Sequence, residues 1–294
     1  MIKYVIYFLS ATLFLFSSEI KDYKPIYNNI CYDINNTQYK ALRSFSDEEN
    51  KFLLVDNENL NTIIVKDVNL TQIECNSSRY SELLDFSVKE PYILENDGII
   101  CPKEGIVITT DLCPSSKKGF EERLYKTLIT SFYNPVPITI FITKRWIRKH
   151  IKEFNQLKNW QEESKLNITW GNHTAYHHYH PKAKLENNYV LSPEEDLEKD
   201  ILDLEIELLN RGVIPSVFFR FPGLVSDKKS IETIKSLGLI TIGSNGWLAN
   251  GDKIECNSII LLHGNKNEPR GINMFLKALK NGDIKELKDI KDAL

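Results

Sequence analysis

The sequence lacks an excess of charge of either sign, and this excludes partners that need one. Its 294 residues include 37 Lys and Arg against 40 Asp and Glu, for a formal net charge of -3 at pH 7. A nucleic-acid-binding surface requires a basic stripe with interleaved aromatic residues, and the sequence has none. We therefore expect no nucleic-acid partner.

Long hydrophobic runs are also lacking, apart from one at the start of the chain. Residues 4–16 are apolar, follow Lys3 and precede Ser17 and Ser18, which is the layout of a secretory signal peptide. The run is short for a membrane-spanning helix. We predict that residues 1–18 are a signal peptide and that the protein is exported, to the periplasm or the extracellular space. An uncleaved signal would instead leave the protein peripherally attached to the membrane.

Cysteine is scarce, and the five residues leave at least one thiol unpaired. Cys31 and Cys75 both lie in the N-terminal third and could close it as a unit. Cys101 and Cys256 each stand just before a predicted strand, so they could form a second disulfide if those strands are parallel neighbours. Cys113 would then be the free thiol.

Two regions differ in their patterns. Residues 19–98 lack a helix–strand rhythm, and the runs 51–55 and 62–66 flank a polar turn, which predicts a hairpin in a small, mostly β accessory domain. In residues 99–294, strands alternate with amphipathic helices, which predicts a parallel sheet, open or closed into a barrel. The predicted strands are residues 106–110, 138–143, 167–170, 216–219, 239–243 and 258–262. The predicted helices are residues 120–132, 144–157, 192–210, 227–237 and 268–280.

Reactive or rigid residues follow five of these strands, where catalytic groups lie in parallel α/β folds. One exit leads into residues 173–180, which hold four of the six histidines. His173 and His177 stand four apart and could aim both imidazoles at one divalent ion such as zinc. An isolated pair could equally belong to a hydrogen-bonded aromatic loop. The candidate site residues at the five exits are Asp111, His173, His177, Arg220, Pro222, Trp247, Leu261 and His263.

This set suits hydrolysis of an amide or ester. A metal on two imidazoles leaves positions for water and a substrate oxygen. Asp111 is the candidate base and His263 the candidate acid. Arg220 could orient Asp111 or bind substrate. The remaining candidates, Trp247, Leu261 and Pro222, would bind substrate, and Trp247 with Leu261 could form an apolar wall for an acetyl methyl group or a sugar face.

The motif order over residues 105–265 resembles the polysaccharide deacetylases that share the NodB homology domain, a family of carbohydrate esterases. Residues 108–115, Ile-Thr-Thr-Asp-Leu-Cys-Pro-Ser, are similar to the family's Thr-Phe-Asp-Asp-Gly-Pro-Ser stretch. Residues 171–177 resemble its His-Ser/Thr-x-x-His motif, and residues 220–223 its Arg-x-Pro element. Trp247 matches the tryptophan of the fourth motif, and residues 261–263 match Leu-x-His.

The resemblance implies a deformed (β/α) barrel of about seven parallel strands after the small β domain. It also implies a divalent metal, with zinc expected, on His173 and His177. Asp111 would be the base, Arg220 would steady it, and His263 would be the acid. The substrate would be a polysaccharide, with peptidoglycan the natural choice.

Two positions depart from the family pattern. Leu112 stands where the family has its second aspartate, the third metal ligand, and leucine cannot bind metal. Water, His178, His180 or Asp111 itself could complete the site, or the ion could be weakly held or absent. The fourth motif also lacks the carboxylate that usually neighbours its tryptophan.

Three functions remain open at this stage. The first is a metal-dependent deacetylase that removes N-acetyl or O-acetyl groups from an extracellular or cell-wall polysaccharide. The alternative is a catalytically inactive glycan-binding relative that lost the third metal ligand. A third is hydrolysis of a peptide or small ester, because nothing in the sequence fixes the leaving group.

Overall fold

The computed structural model describes residues 19–68, 70–88 and 94–294. The predicted signal peptide, residues 1–18, lies outside the described residues. Within the described part of the chain, none of the helices combines the length and the apolar character needed to cross a membrane.

The N-terminal unit is an antiparallel sheet followed by a helix. The strand order is β5-β4-β3-β2-β6, with β1 paired to β3, and β4 and β5 form the predicted hairpin. A disulfide joins Cys31 to Cys75. The elements are β1 (Lys21–Pro25), β2 (Cys31–Ile34), β3 (Thr37–Ser46), β4 (Asn50–Asp56), β5 (Thr62–Lys66), β6 (Thr71–Ile73) and α1 (Arg79–Phe86).

The second unit is a curled sheet of seven parallel strands, in the order β11-β10-β9-β8-β7-β13-β12, with helices packed on it. It has the predicted class and strand number, and the curled sheet forms a half-barrel. Its strands are β7 (Ile106–Leu112), β8 (Val136–Ile142), β9 (Leu166–Asn172), β10 (Phe218–Phe219), β11 (Ile240–Thr241), β12 (Gly246–Trp247) and β13 (Ser258–His263). Its helices are α2 (Glu122–Ser131), α3 (Lys144–Lys149), α4 (Ile151–Glu162), α5 (Leu197–Leu209), α6 (Lys228–Ser236), α7 (Pro269–Asn281) and α8 (Ile290–Ala293).

The two units share a hydrophobic core. Val107, Phe141 and Ile259 of the half-barrel lie in one buried cluster with Leu42 and Tyr80 of the N-terminal unit. Successive side chains of a strand point to opposite faces, so Ile108 and Ile260 join a different cluster under the helices. The N-terminal unit therefore packs against the half-barrel through apolar side chains from both.

A buried ion pair reinforces this junction. Arg43 on β3 and Glu205 on α5 are both almost fully buried, and they form two hydrogen bonds of 2.8 and 2.9 Å. The Tyr23 hydroxyl donates to the same carboxylate at 2.8 Å, and Arg43 also donates to the Leu237 carbonyl at 2.7 Å. A buried charge needs such partners, because removing it from water is costly.

Two predictions about local structure were wrong. The helix predicted at residues 192–210 begins at Leu197, because the Asp196 carboxylate caps it by accepting the Lys199 N–H. The second disulfide is not formed, and Cys101 and Cys256 are both free and exposed. Strands β7 and β13 are the parallel neighbours that were expected, but the Cys101 thiol points to a backbone carbonyl 3.4 Å away, that of Asn257.

Candidate active site

Asp111 and Arg220 form a buried pair inside the half-barrel. Asp111 ends β7 and is only 3% exposed, while Arg220 follows β10 and is fully buried. Arg220 Nη1 donates to Asp111 Oδ1 at 2.8 Å and to Thr109 Oγ1 at 2.7 Å. Its other nitrogens donate to the carbonyls of Ile242 and Gly243. One carboxylate oxygen of Asp111 is thus held by the guanidinium, as predicted from the resemblance.

His173 follows β9 and is held in one tautomer. Its Nδ1 lies 2.8 Å from the carbonyl oxygen of Arg220. A carbonyl can only accept, so Nδ1 carries the proton and Nε2 keeps a bare lone pair. That lone pair faces the site, 3.9 Å from Asp111 Oδ2. His173 therefore has the geometry of a metal ligand with a fixed outer partner.

His177 is brought to His173 by the loop between them. The Asp200 carboxylate on α5 accepts the N–H groups of Ala175 and Tyr176 at 3.1 and 3.0 Å. This arrangement turns the chain so that the two imidazole centroids lie 5.0 Å apart. Asp200 is not among the residues predicted from the sequence. It holds the loop only through the tertiary fold, because it lies 25 residues from Ala175 in sequence.

Cys113 lies beside the two histidines, and the sequence did not assign it there. Its Sγ is 3.5 Å from His173 Nε2, and one donor atom each from Cys113, His173 and His177 lie within 4.8 Å of one another. Burial opposes thiolate formation, but His177 and His173 hold the pKa of the Cys113 thiol well below its ordinary value. This donor set of one sulfur and two imidazole nitrogens fits a divalent ion such as zinc.

The position of Leu112 explains why Cys113 takes this place. Leu112 is fully buried in the core under the helices, because neighbouring strand residues face opposite sides. Cys113 returns to the side of Asp111. The alternation of side chains along β7, continued one residue past Leu112, is the sequence signal that predicts this position of Cys113.

The other suggested third ligands lie elsewhere. His178 Nε2 is 3.4 Å from a Glu195 carboxylate oxygen, and the backbone N–H of His180 donates to Asn188. Neither belongs to the cluster that includes His173.

His263 sits across the strand pair from Asp111. The two residues are register partners in β13 and β7, and His263 Nδ1 lies 2.8 Å from Glu268 Oε2. The same oxygen accepts the indole N–H of Trp247 at 3.0 Å. Burial opposes protonation of His263, but Cys113 and Glu268 raise its pKa well above the usual value.

Glu268 thus supplies a carboxylate at the place where the fourth motif lacks one. It immediately precedes α7, five residues after His263, and no motif position pointed to it. An acidic residue shortly after a candidate acid histidine was the only sequence signal.

Two of the three residues predicted to bind substrate, Leu261 and Trp247, lie next to each other. Leu261 lies two residues before His263 on β13, so both side chains face the same side, and it pairs in register with Trp247. Pro222 is buried in the turn after Arg220. The next residue, Gly223, has φ +64° and lies so close to the Tyr189 ring that a Cβ would be 2.5 Å from it.

Comparison with known proteins gives one family. A family 4 carbohydrate esterase from Bacillus anthracis is 18% identical and covers 75% of this chain and 94% of its own, with a TM-score of 0.49. A chitin deacetylase from Colletotrichum lindemuthianum is 16% identical and covers 69% and 93%, with a TM-score of 0.48. A family 4 pseudoenzyme from Bacillus anthracis is 15% identical and covers 69% and 72%, with a TM-score of 0.44. Residues 101–242 match the polysaccharide deacetylase family model, and this part of the chain is a polysaccharide deacetylase domain.

Proposed function

We propose that this protein is a metal-dependent deacetylase that acts outside the cytoplasm and hydrolyses N-acetyl groups on a cell-wall or extracellular polysaccharide. One observation carries the proposal. Asp111 and His263 are register partners on adjacent strands, and Asp111 lies 3.9 Å from the nearer of two converging imidazoles. A base, an acid and metal-binding nitrogens thus meet in one place.

The residues divide the chemistry between them. A divalent ion held by His173 and His177 would polarise the acetyl carbonyl and acidify a water molecule. Arg220 occupies Oδ1 of Asp111, which leaves Oδ2 to take the proton of the attacking water. Glu268 holds the Nδ1–H of His263, so Nε2–H is directed to the leaving nitrogen, which it protonates.

Apolar and aromatic surfaces near the site support a glycan substrate. Leu261 and Trp247 lie side by side next to the acid and offer a wall for the acetyl methyl group. Tyr179 is 56% exposed and stacks on Tyr189 with ring centroids 5.4 Å apart. Aromatic rings present a large rigid apolar face with a polar tip, which suits the C–H face of a sugar ring.

The second candidate is an inactive glycan-binding relative, and Leu112 is the observation that favours it. A leucine at the family's ligand position removes one carboxylate from the metal site. This reading predicts glycan binding without turnover. We prefer the enzyme because acid, base and imidazoles are all retained in hydrogen-bonded positions.

Acetate release tests the proposal. Purified protein incubated with zinc should release acetate from N-acetylglucosamine oligomers, and His263→Gln should abolish most of this release. His180→Ala is the matched control, because His180 is exposed and lies outside the cluster, and it should retain full activity. Bound zinc and bound oligomer without acetate release would favour the inactive relative instead.

A further inference from the structure

We propose that Cys113 is the third protein ligand of the metal centre, so that the site is one thiolate with two imidazoles and selects zinc-like ions. This inference rests on the proposed function, since it names the metal chemistry of the same site. The chain would then replace the missing carboxylate of Leu112 with the side chain of the next residue.

The distances agree with shared coordination. In a tetrahedral zinc site, bonds of roughly 2.0–2.1 Å to nitrogen and 2.3 Å to sulfur place the two donor atoms about 3.5 Å apart. Cys113 Sγ and His173 Nε2 are 3.5 Å apart. A His177 donor lies within 4.8 Å of both. The sulfur thus faces both imidazoles rather than one.

The backbone around Cys113 is fixed at two successive carbonyls. Thr143 Oγ1 donates to the Leu112 carbonyl at 2.9 Å, and Asn265 Nδ2 donates to the Cys113 carbonyl at 2.9 Å. Both donors are buried. The thiol is therefore delivered from a rigid strand end, as a ligand site requires.

His173 is prepared for the same ion from its other side. The Arg220 carbonyl accepts from Nδ1 at 2.8 Å, which leaves the Nε2 lone pair directed toward Cys113. Metal-bound histidines almost always donate their other ring N–H to such a partner. His173 follows this pattern, and here the anionic ligand beside the histidine would be the sulfur of Cys113.

Sulfur changes which ions bind. Thiolate ligands favour zinc and other thiophilic ions, whereas carboxylate and water suit magnesium and manganese. We expect the protein to take up zinc and cobalt stoichiometrically and to bind manganese weakly.

Cobalt spectroscopy provides a direct test. Metal-free protein titrated with Co²⁺ should develop a near-ultraviolet thiolate-to-cobalt charge-transfer band that saturates at one equivalent. Cys113→Ser should lose this band and should weaken zinc binding by more than the roughly 10–100-fold cost of losing an outer partner. Cys101→Ser is the control, because that exposed thiol lies outside the cluster, and it should keep both properties.

A second variant covers the case in which serine disturbs folding. Cys113→Asp should restore a carboxylate ligand, bind one ion without the charge-transfer band, and shift the preference toward manganese. A wild-type protein that binds no metal, or binds cobalt without the band, overturns the proposal. Unchanged zinc affinity in both Cys113 variants also overturns it.

The same measurements separate this inference from the deacetylase proposal. If the cobalt band depends on Cys113 but the protein releases no acetate, Cys113 is a metal ligand and the deacetylase proposal is wrong. If Cys113→Ser releases acetate and binds zinc as tightly as the wild type does, the deacetylase proposal stands and Cys113 is not a metal ligand.

Discussion

Asp111 has two oxygens with different surroundings, and its role follows from that difference. Arg220 binds Oδ1 at 2.8 Å, whereas Oδ2 faces His173 at 3.9 Å. Because Arg220 already occupies Oδ1, Oδ2 is the oxygen through which the proposed base would act. The side chain could also serve as a metal ligand, and a single substitution distinguishes the two roles.

Asp111→Asn should lower kcat about 10²–10⁴-fold, the range for loss of a positioned base. The amide still offers an oxygen to Arg220, so the fold is retained. Zinc stoichiometry, measured by elemental analysis, should stay at one ion per chain. Loss of zinc together with activity would show that Asp111 is a ligand rather than the base.

Glu268→Gln should lower kcat about 10–100-fold, as is typical when the outer partner of a functional histidine is removed. Glutamine retains an acceptor for Trp247 but removes the charge that helps to raise the pKa of His263. The acid form of His263 then persists only to lower pH. The alkaline fall in kcat should move to lower pH, and a pH–rate profile measures it.

An unshifted profile would contradict the role of Glu268. Trp247→Phe is the matched control, because it removes the competing donor to Glu268 Oε2 and leaves the charge in place. That variant should keep the alkaline limb where it is.

Among the elements, the strands of the half-barrel were predictable and the loops after them only in part. Runs such as residues 138–142 are apolar apart from one threonine because both faces of the strand are covered, and this signal located six of the seven parallel strands. Catalytic groups of parallel α/β folds lie at the carboxyl ends of the strands, and this rule correctly brings Asp111 and His263 together. Two-residue strands such as β12 (Gly246–Trp247) carry no periodicity and were missed.

The rest of the site depends on side-chain direction, which motif position does not encode. Pairing the other four cysteines leaves Cys113 as a spare thiol, whereas the pleat of the strand turns its side chain to the face of Asp111. Glu268 arrives from the start of a helix outside every motif. Cys101 precedes β7 and lies next to the residue that precedes β13, but its thiol turns to the Asn257 carbonyl.

Glu195, which precedes α5 (Leu197–Leu209), forms a pH-sensitive carboxyl pair with Asp200 in the helix. Burial, together with the neighbouring Asp200, raises the pKa of Glu195 from 4.5 to about 8. The folded protein therefore binds more protons than the unfolded chain between these values, and the free energy of unfolding falls as pH rises through that window. This opposes the usual behaviour of a salt-bridged carboxylate.

Glu195→Gln should flatten this dependence. The amide mimics the protonated carboxyl, so the variant should lose less stability than the wild type between pH 4.5 and 8. Urea unfolding at several pH values measures the difference. Glu194→Gln, at an exposed neighbouring position, should follow the wild-type curve, and a Glu195 variant that also follows it would contradict the assignment.

At the scale of the whole molecule, the buried pair between Arg43 and Glu205 ties the N-terminal sheet to the half-barrel. Arg43→Ala should destabilise the protein by about 3–5 kcal/mol, because it leaves a buried carboxylate without its cation. The double variant Arg43→Met with Glu205→Met should recover most of this loss, as hydrophobic replacement of buried pairs often does.

Chemical denaturation measures both effects, and an exposed pair serves as control. Lys66 and Glu49 are about half exposed, so Lys66→Ala should change the free energy of unfolding far less than Arg43→Ala does. A single cooperative transition in all variants would fit one shared core. Separate transitions for the two units would contradict it.

The chain segment that joins the two units is also linked to Asp111, the proposed base. Ile99 pairs with Ile242 beyond β11, and Asn96 exchanges two hydrogen bonds with Ser244. The carbonyl of Ile242 in turn accepts a hydrogen bond from Arg220, and Arg220 holds Asp111. The connecting segment thus pairs with the edge of the curled sheet at the residue whose carbonyl also holds the Arg220 guanidinium. We therefore expect a proteolytic nick near residue 96 to abolish the proposed hydrolysis from outside the pocket, with every side chain of the proposed site still present.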